Sequence, residues 1–192
     1  MPSLPTLTTA RLTLRPLQLD DAPAIQALFP QWEIVRYLAD RVPWPYPADG
    51  ALSFMRDVSL PAMREGREWH WSIRLTAQPQ VLIGVISLSN EPDNNRGFWL
   101  DPRHQRQGLM QEACAAATAY WFEVLQRPVL RAPKAVPNIA SSRISERGGM
   151  RLLGVVEKDY VSGRLPSELW EITREEWLRL NATGNPENES AP

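Results

Sequence analysis

The segment FWLDPRHQRQGLMQEA (98–113) holds the residues best suited to chemistry. A strand ending at Leu100 gives way to a polar, basic loop, and a helix is expected to start near Gly108. The first turn of a helix leaves backbone N–H groups unpaired and carries partial positive charge. Arg103 and Arg106 add cationic side chains, and Gly108 adds conformational freedom. Together they suit a cradle for a pyrophosphate or similar anion. The competing reading is a helix that simply begins with glycine beside an arginine.

Other candidates carry both a functional and a structural reading. Asn138 is placed to cap a helix, with Ser141 in its first turn. Trp32, Trp44 and Tyr46 gather with Arg36 and Arg41, a mixture that can stack a planar ligand or cradle a peptide N-terminus. The same residues can instead rigidify a long connection against the sheet. Cys114 falls on an apolar helical face and reads as a small core residue. The two histidines, His70 and His104, have no partner at ligand spacing, so no metal site is expected.

These residues must be held by elements that the pattern predicts. Leu12 and Leu14 alternate with polar neighbours over Arg11–Pro16, as in a half-buried strand. Asp20, Asp21 and Pro23 open a short helix that Pro30 ends, Trp32 to Leu38 reads as another, and Asp49 to Leu60 as a third, stopped by Pro61. VPWPYP (42–47) fits neither a helix nor a central strand. Strands follow at Trp69–Leu75, 81–88 and Gly97–Leu100, with Ala77-Gln78-Pro79-Gln80 as a turn. Met110, Ala113, Cys114, Ala117, Trp121, Val124 and Leu125 mark one face of a helix of roughly 19 residues. Val129–Ala132 is a strand, and Asn138 to Arg147 a helix ended by Gly148-Gly149. Two further strands, near Arg151–Val161 and Leu169–Thr173, are joined by SGRLPS.

The order predicts an α+β fold with one sheet and helices packed upon it, a single domain over 1–180. Residues 181–192 are polar and unpatterned, and are expected to be a disordered tail. Across all 192 residues, 21 Lys+Arg against 22 Asp+Glu argue against a protein that coats nucleic acid or an anionic membrane. One cysteine excludes an internal disulfide and a cysteine zinc cluster. With no apolar run of membrane-spanning length and no secretory pattern at the start, a cytoplasmic location is expected.

Several motifs in order resemble the GNAT N-acetyltransferases, in particular the ribosomal-protein-alanine (Rim-type) subfamily. Gln105-Arg106-Gln107-Gly108-Leu109-Met110 resembles the acetyl-CoA loop Gln/Arg-x-x-Gly-x-Gly/Ala, and GFWLDP (97–102) its lead-in. VPNIASSRISERGGMRLLGV (136–155), TARLTLRPLQLDDA at the start and ITREEW near the end extend the likeness over about 5–177. The resemblance implies a GNAT-like fold, with a mixed, mostly antiparallel central sheet, and acetyl-CoA as co-substrate without a metal. Cofactor contacts are then expected from Leu100, Arg103, Gln105, Arg106, Gln107, Gly108, Leu109, Met110, Asn138 and Ser141. Met110 stands where the pattern has Gly or Ala, so it is expected to point away into the apolar face.

The resemblance also assigns chemistry. Asn138 matches the residue that bonds the pantetheine arm, and Ser141 the serine near the CoA sulfur, able to protonate the departing thiolate. Tyr160 is the alternative acid. The family's frequent carboxylate position is occupied by Asn95, which cannot accept a proton. Glu33 and Glu91 are the remaining carboxylates on segments expected to face the substrate, and Trp32, Arg36, Trp44 and Tyr46 are the expected acceptor-side residues. The implied activity is acetyl transfer to a primary amine, a protein N-terminus or a small molecule, by direct attack. A non-catalytic acyl-CoA-binding module and an aromatic-rich RNA- or peptide-binding domain are the rivals. Expected partners are acetyl-CoA and the amine, with a homodimer compatible and neither membrane nor nucleic acid required.

Overall fold

Alternating residues along the strands send apolar side chains to both faces of the sheet, so helices must cover both. The computed structural model describes residues 4–182. Strands β1 (Leu7–Thr8), β2 (Leu12–Pro16), β3 (Glu68–Leu75), β4 (Gln78–Ser89) and β5 (Arg96–Leu100) form an antiparallel sheet in that order. A second antiparallel sheet has the order β6 (Val129–Ala135), β8 (Gly163–Thr173), β7 (Arg151–Tyr160). Between β2 and β3 lie α1 (Ala22–Leu28), α2 (Trp32–Val35), α3 (Gly50–Phe54), a π-helical turn (Met55–Ser59) and α4 (Leu60–Arg64). Helix α5 (Leu109–Ala119) runs on into a second π turn (Tyr120–Val124), α6 spans Ile139–Arg147, and α7 spans Arg174–Ala182.

The α+β expectation holds, with the sheet parted between β5 and β6. Residue 95 meets Arg131 and the Phe98 ring meets Lys134, an equal offset that makes β5 and β6 run in the same sense. That pairing supplies the mixed character within otherwise antiparallel sheets. Strand β3 shows how the two cores divide. Trp69, Trp71 and Ile73 pack toward α5 with Leu12, Leu14, Leu88, Cys114 and Ala117. Glu68, His70, Ser72 and Arg74 alternate with them onto the opposite face, where Leu17, Ile25, Phe29, Val35, Ala51, Met55 and Val85 form the second core under α1–α4. Arg74, buried there, is met by Asp21 at 2.5 Å, and Asp21 also takes Arg15 at 2.7 Å. Asp21 therefore anchors arginines rather than capping α1 with its side chain.

Several boundaries differ from expectation, each for a local reason. The helix continues through Pro61, because the wide π turn just before it loosens the ladder that would need the proline N–H. Helix α2 stops at Val35 instead of Leu38, since the Arg36 and Leu38 carbonyls accept from Ser162 and Val161 and Ala39 bridges Tyr160. The turn between β3 and β4 is Thr76-Ala77; Pro79 lies in a register shift of β4, where no ladder donor is required. SGRLPS is largely strand, and Pro166 sits just past the Ala135↔Ser167 pair that ends β6. Helix α5 with its π turn closes at Val124, shorter than expected. Asn181 and Ala182 complete α7 instead of opening a tail, and the remaining residues of the predicted tail lie outside those described.

Candidate functional site

The loop 101–108 is shaped by two left-handed residues. Arg106 has φ 60° and Gly108, the N-cap of α5, has φ 77° and ψ 0°. Only glycine adopts the second conformation without penalty, so any side chain there would be strained. Among the described residues, the backbone N–H groups of 106–111 have no acceptor; the helical ladder begins with Glu112 donating to the Gly108 carbonyl at 3.1 Å. A row of unpaired amides at a helix N-terminus, curved by αL residues, has the geometry of a cradle able to hold an anion.

Side chains around the cradle divide into fixed and free. Arg103 donates to Asp101 at 2.6–3.2 Å, so its charge is largely matched, and Arg103 in turn holds the Asp101 carboxyl below the usual range. Gln105 Nε2 donates to the Leu100 carbonyl at 3.0 Å and Gln107 Nε2 to the Arg103 carbonyl at 3.2 Å, which brace the loop. Arg106 is exposed, with no ion pair among the described residues. Leu100, Leu109 and Met110 are buried in the α5-side core, so Met110 points away from the loop as expected. Sequence reasoning missed Arg11, which donates to the Gln107 carbonyl at 2.9 Å and to Glu112 at 2.7 Å. Its position at a strand start carried no signal, because the partner is 101 residues away.

Below the loop, β5 and β6 diverge. They are joined where Asn95 N–H donates to the Arg131 carbonyl at 2.7 Å and Arg131 N–H donates to Asn95 Oδ1 at 2.8 Å. Asn95 Nδ2 donates to the Ser89 and Glu91 carbonyls at 3.1 and 2.9 Å. Asn95 thus ties three segments together, and two of its bonds need an amide N–H that a carboxylate lacks. Beyond this clamp the facing edges separate, leaving a wedge that opens toward Leu100 and the cradle. Lys134 crosses the wedge on the α5 side, its Nζ 4.6 Å from the Phe98 ring centroid. Burial, with the neighbouring Arg96 charge, pushes the Lys134 ammonium down to about 7. Arg96 is buried too, bonded to Thr118 Oγ1 at 2.8 Å and to Met150 Sδ.

The other expected residues fall into separate groups. Asn138 caps α6, its Oδ1 accepting from Ser141 N–H at 3.4 Å. Ser141 is buried, and its hydroxyl has no partner among the described residues. Tyr160 is hydrogen-bonded to Ser167 Oγ at 2.6 Å, and burial pushes its phenol up. Glu91 is engaged by Arg41 at 3.4 Å and by Asn94 Nδ2 at 2.9 Å. Glu33 is exposed in the first turn of α2.

The aromatic residues split. Trp32 and Trp44 pair at 5.5 Å with their faces half in solvent, whereas Tyr46 meets Phe29 at 5.0 Å inside the second core. Arg36 lies over the Tyr37 ring at 4.7 Å. Tyr46, Phe29, Phe54, Val85 and Trp99 line a cavity of about 70 Å³ that also includes His70. His70 Nε2 is 2.6 Å from Glu68 Oε2, a hydrogen-bond pair that sequence reasoning did not assign. The period of two along a strand, which puts residues 68 and 70 on one face, was the available signal.

Comparison with known proteins bears on the family and the fold. The model of the acetyltransferase (GNAT) domain matches residues 11–151. The uncharacterized N-acetyltransferase YoaA of Bacillus subtilis (strain 168) is 28% identical over 163 residues, covering 80% of this chain and 87% of that protein. The structure of RimL, a ribosomal L7/L12 alpha-N-protein acetyltransferase in complex with coenzyme A, superposes with a TM-score of 0.76 at 18% identity, over 88% of this chain and 98% of that one. A ribosomal-protein-S5-alanine acetyltransferase from Vibrio fischeri gives 0.76 at 16% identity, over 90% and 98%. Unpaired amides above a parted sheet and a domain match over most of the length lead to one conclusion: the chain belongs to the GNAT family of acetyltransferases.

Proposed function

We propose that the protein transfers the acetyl group of acetyl-CoA to a primary amine by direct attack, without a covalent enzyme intermediate. The observation that carries this reading is the row of unpaired amides over 106–111, which suits an anion such as the pyrophosphate of CoA. Arg106 adds a cation with no ion pair among the described residues, and Leu100, Arg103, Gln105, Gln107 and Gly108 build the surrounding loop. Leu109 and Met110 serve through their backbone N–H groups, their side chains being core.

The wedge between β5 and β6 gives the pantetheine amides unpaired strand edges to bond. Asn138 stands at its α6 side, and the unengaged hydroxyl of Ser141 is the group offered to the departing thiolate. Tyr160, held by Ser167, is the second donor of that kind. The acceptor approaches from the opposite face, past Trp32, Trp44, Arg36 and Tyr46, with Glu33 exposed beside them. A neutral amine attacks the thioester carbonyl carbon, the tetrahedral intermediate forms, and the C–S bond breaks.

Two measurements test this. Calorimetric titration with acetyl-CoA should show saturable binding that Gly108→Asp abolishes or weakens at least tenfold, by placing charge in the cradle. Thiol release in the presence of a primary amine should exceed the amine-free rate. Binding without release would leave a module that holds acyl-CoA and transfers nothing.

A further inference from the structure

The residue at the family's usual base position is a hydrogen-bonded clamp, so the proton of the acceptor ammonium needs another destination. The two faces of the sheet offer different choices. The α5 face is closed over β5 by Arg96 and Leu100, both buried, whereas Gly97 on the opposite face is exposed. Strand register places His70 opposite Ser87 and Ser87 opposite Gly97, so these three form one row across that open face. Ser87 stands between the other two; its hydroxyl donates to the Gly97 carbonyl at 3.4 Å and must rotate toward His70 to pass a proton on.

We propose that His70, oriented by Glu68, is the base that receives the acceptor proton, relayed along Ser87 from an amine seated over Gly97. The proposal rests on the acetyl-transfer reading above. Glu68 Oε2 accepts from Nε2–H at 2.6 Å, which fixes the tautomer and leaves Nδ1, unpartnered among the described residues, as the basic nitrogen. The carboxylate then stabilises the imidazolium that forms. Two inter-strand spacings separate β3 from β5, about 10 Å, a span that the imidazole, the Ser87 hydroxyl and the amine must close together. Glu33 is in solvent, Glu91 is bound to Arg41 and Asn94, and Lys134 lies on the other face.

The balance is simple. The ammonium gives one proton through Ser87 to Nδ1 and on to solvent. Its nitrogen lone pair forms the C–N bond, the C–S bond breaks, and the second N–H proton goes to the thiolate sulfur.

The groups facing His70 are few. Glu68 on its own strand and the phenol of Tyr46 across the cavity are the ionisable neighbours. Arg41 and Arg67 act on Glu68, drawing its carboxyl below the usual range after the larger effect of the His70 hydrogen bond. Phe54, 6.3 Å away edge to face, and the apolar residues of α1 and α3 complete the surroundings.

The experiment follows thiol release with alaninamide as the amine probe at saturating acetyl-CoA, over pH 5–9. Wild-type kcat should rise along a limb set by an imidazole. His70→Gln should lose that limb and about 10²–10⁴-fold in kcat while binding acetyl-CoA with wild-type affinity. Glu68→Gln should keep the limb and lower kcat, because the ring is less firmly oriented. An unchanged limb and rate in His70→Gln overturns the proposal. So does a mismatch between the limb and the His70 ring titration followed by NMR in CoA-bound wild type, a measurement that needs no variant and has only His104 to distinguish. Acetyl-CoA binding without any thiol release overturns the acetyl-transfer reading, and this inference with it.

Discussion

Asn95 and Arg131 hold each other through two hydrogen bonds, 2.7 and 2.8 Å, at the point where β5 and β6 part. One of those bonds uses the Asn95 side chain in place of a backbone carbonyl. The wedge below the cradle begins where this substitution ends the pairing. The residue that would be a base by family likeness is therefore a hinge pin of the sheet.

Asn95→Asp should not gain activity and should lose stability. The new carboxylate would face the Ser89 and Glu91 carbonyl oxygens with no proton to donate. Leaving buried polar groups unpaired costs about 1–3 kcal/mol, more when one is charged. Denaturant melts at neutral pH would measure the loss, and acidification that protonates the aspartate should recover part of it.

Arg106 and Arg103 should separate in acetyl-CoA affinity. Arg103 is spent on Asp101, whereas Arg106 is exposed and unpaired among the described residues. Arg106→Gln should weaken binding by roughly 3–10-fold, as for loss of one charge-assisted contact, and more at low salt than at high. Arg103→Gln should change affinity less, while releasing Asp101 and softening the loop. Titrations at two ionic strengths decide the order.

Ser141→Ala should lower turnover without changing acetyl-CoA affinity. The backbone N–H of residue 141 still reaches Asn138 Oδ1, so the α6 cap survives. Loss of a proton donor to a leaving group is worth about 10²-fold or more. Equal kcat in the variant would return Ser141 to a packing role and shift attention to Tyr160.

Lys134 should make the fold more stable as pH rises. Its folded value of about 7 lies below the 10.5 of a free lysine, chiefly through burial. Between those values the unfolded chain binds a proton that the folded chain lacks, so raising pH favours folding. Below pH 7 both forms are protonated and the full penalty, of order 3–5 kcal/mol, is present. Lys134→Met should therefore raise the melting temperature, most at pH 6–7, and flatten the slope from pH 7 to 10. A slope unchanged in the variant would assign it to other groups.

Much of the site's backbone was legible before folding. Leu100, Asp101-Pro102 and Gly108 mark a strand, a turn and a helix start by local rules, and the apolar offsets of α5 give its buried face. Asn138 and Gly148 bound α6 in the same way. Such features depend on neighbours within a few residues, which is why prolines in unusual local settings were the main errors. Pro61, Pro79 and Pro166 each look like stops, yet a π turn, a register shift and the end of a partner strand removed the need for their missing N–H.

The sequence by itself determined the α+β order, the glycine-headed cradle and the absence of a carboxylate at residue 95, because each is written in local spacing and residue type. Only the tertiary structure decided which charges are free. It spent Arg103 on Asp101 and Glu91 on Arg41, and brought Arg11 to the cradle across 101 residues. It also turned Asn95 into a clamp and aligned His70 with Ser87 and Gly97. Ion pairing and burial depend on distances between remote segments, and strand register sets those distances.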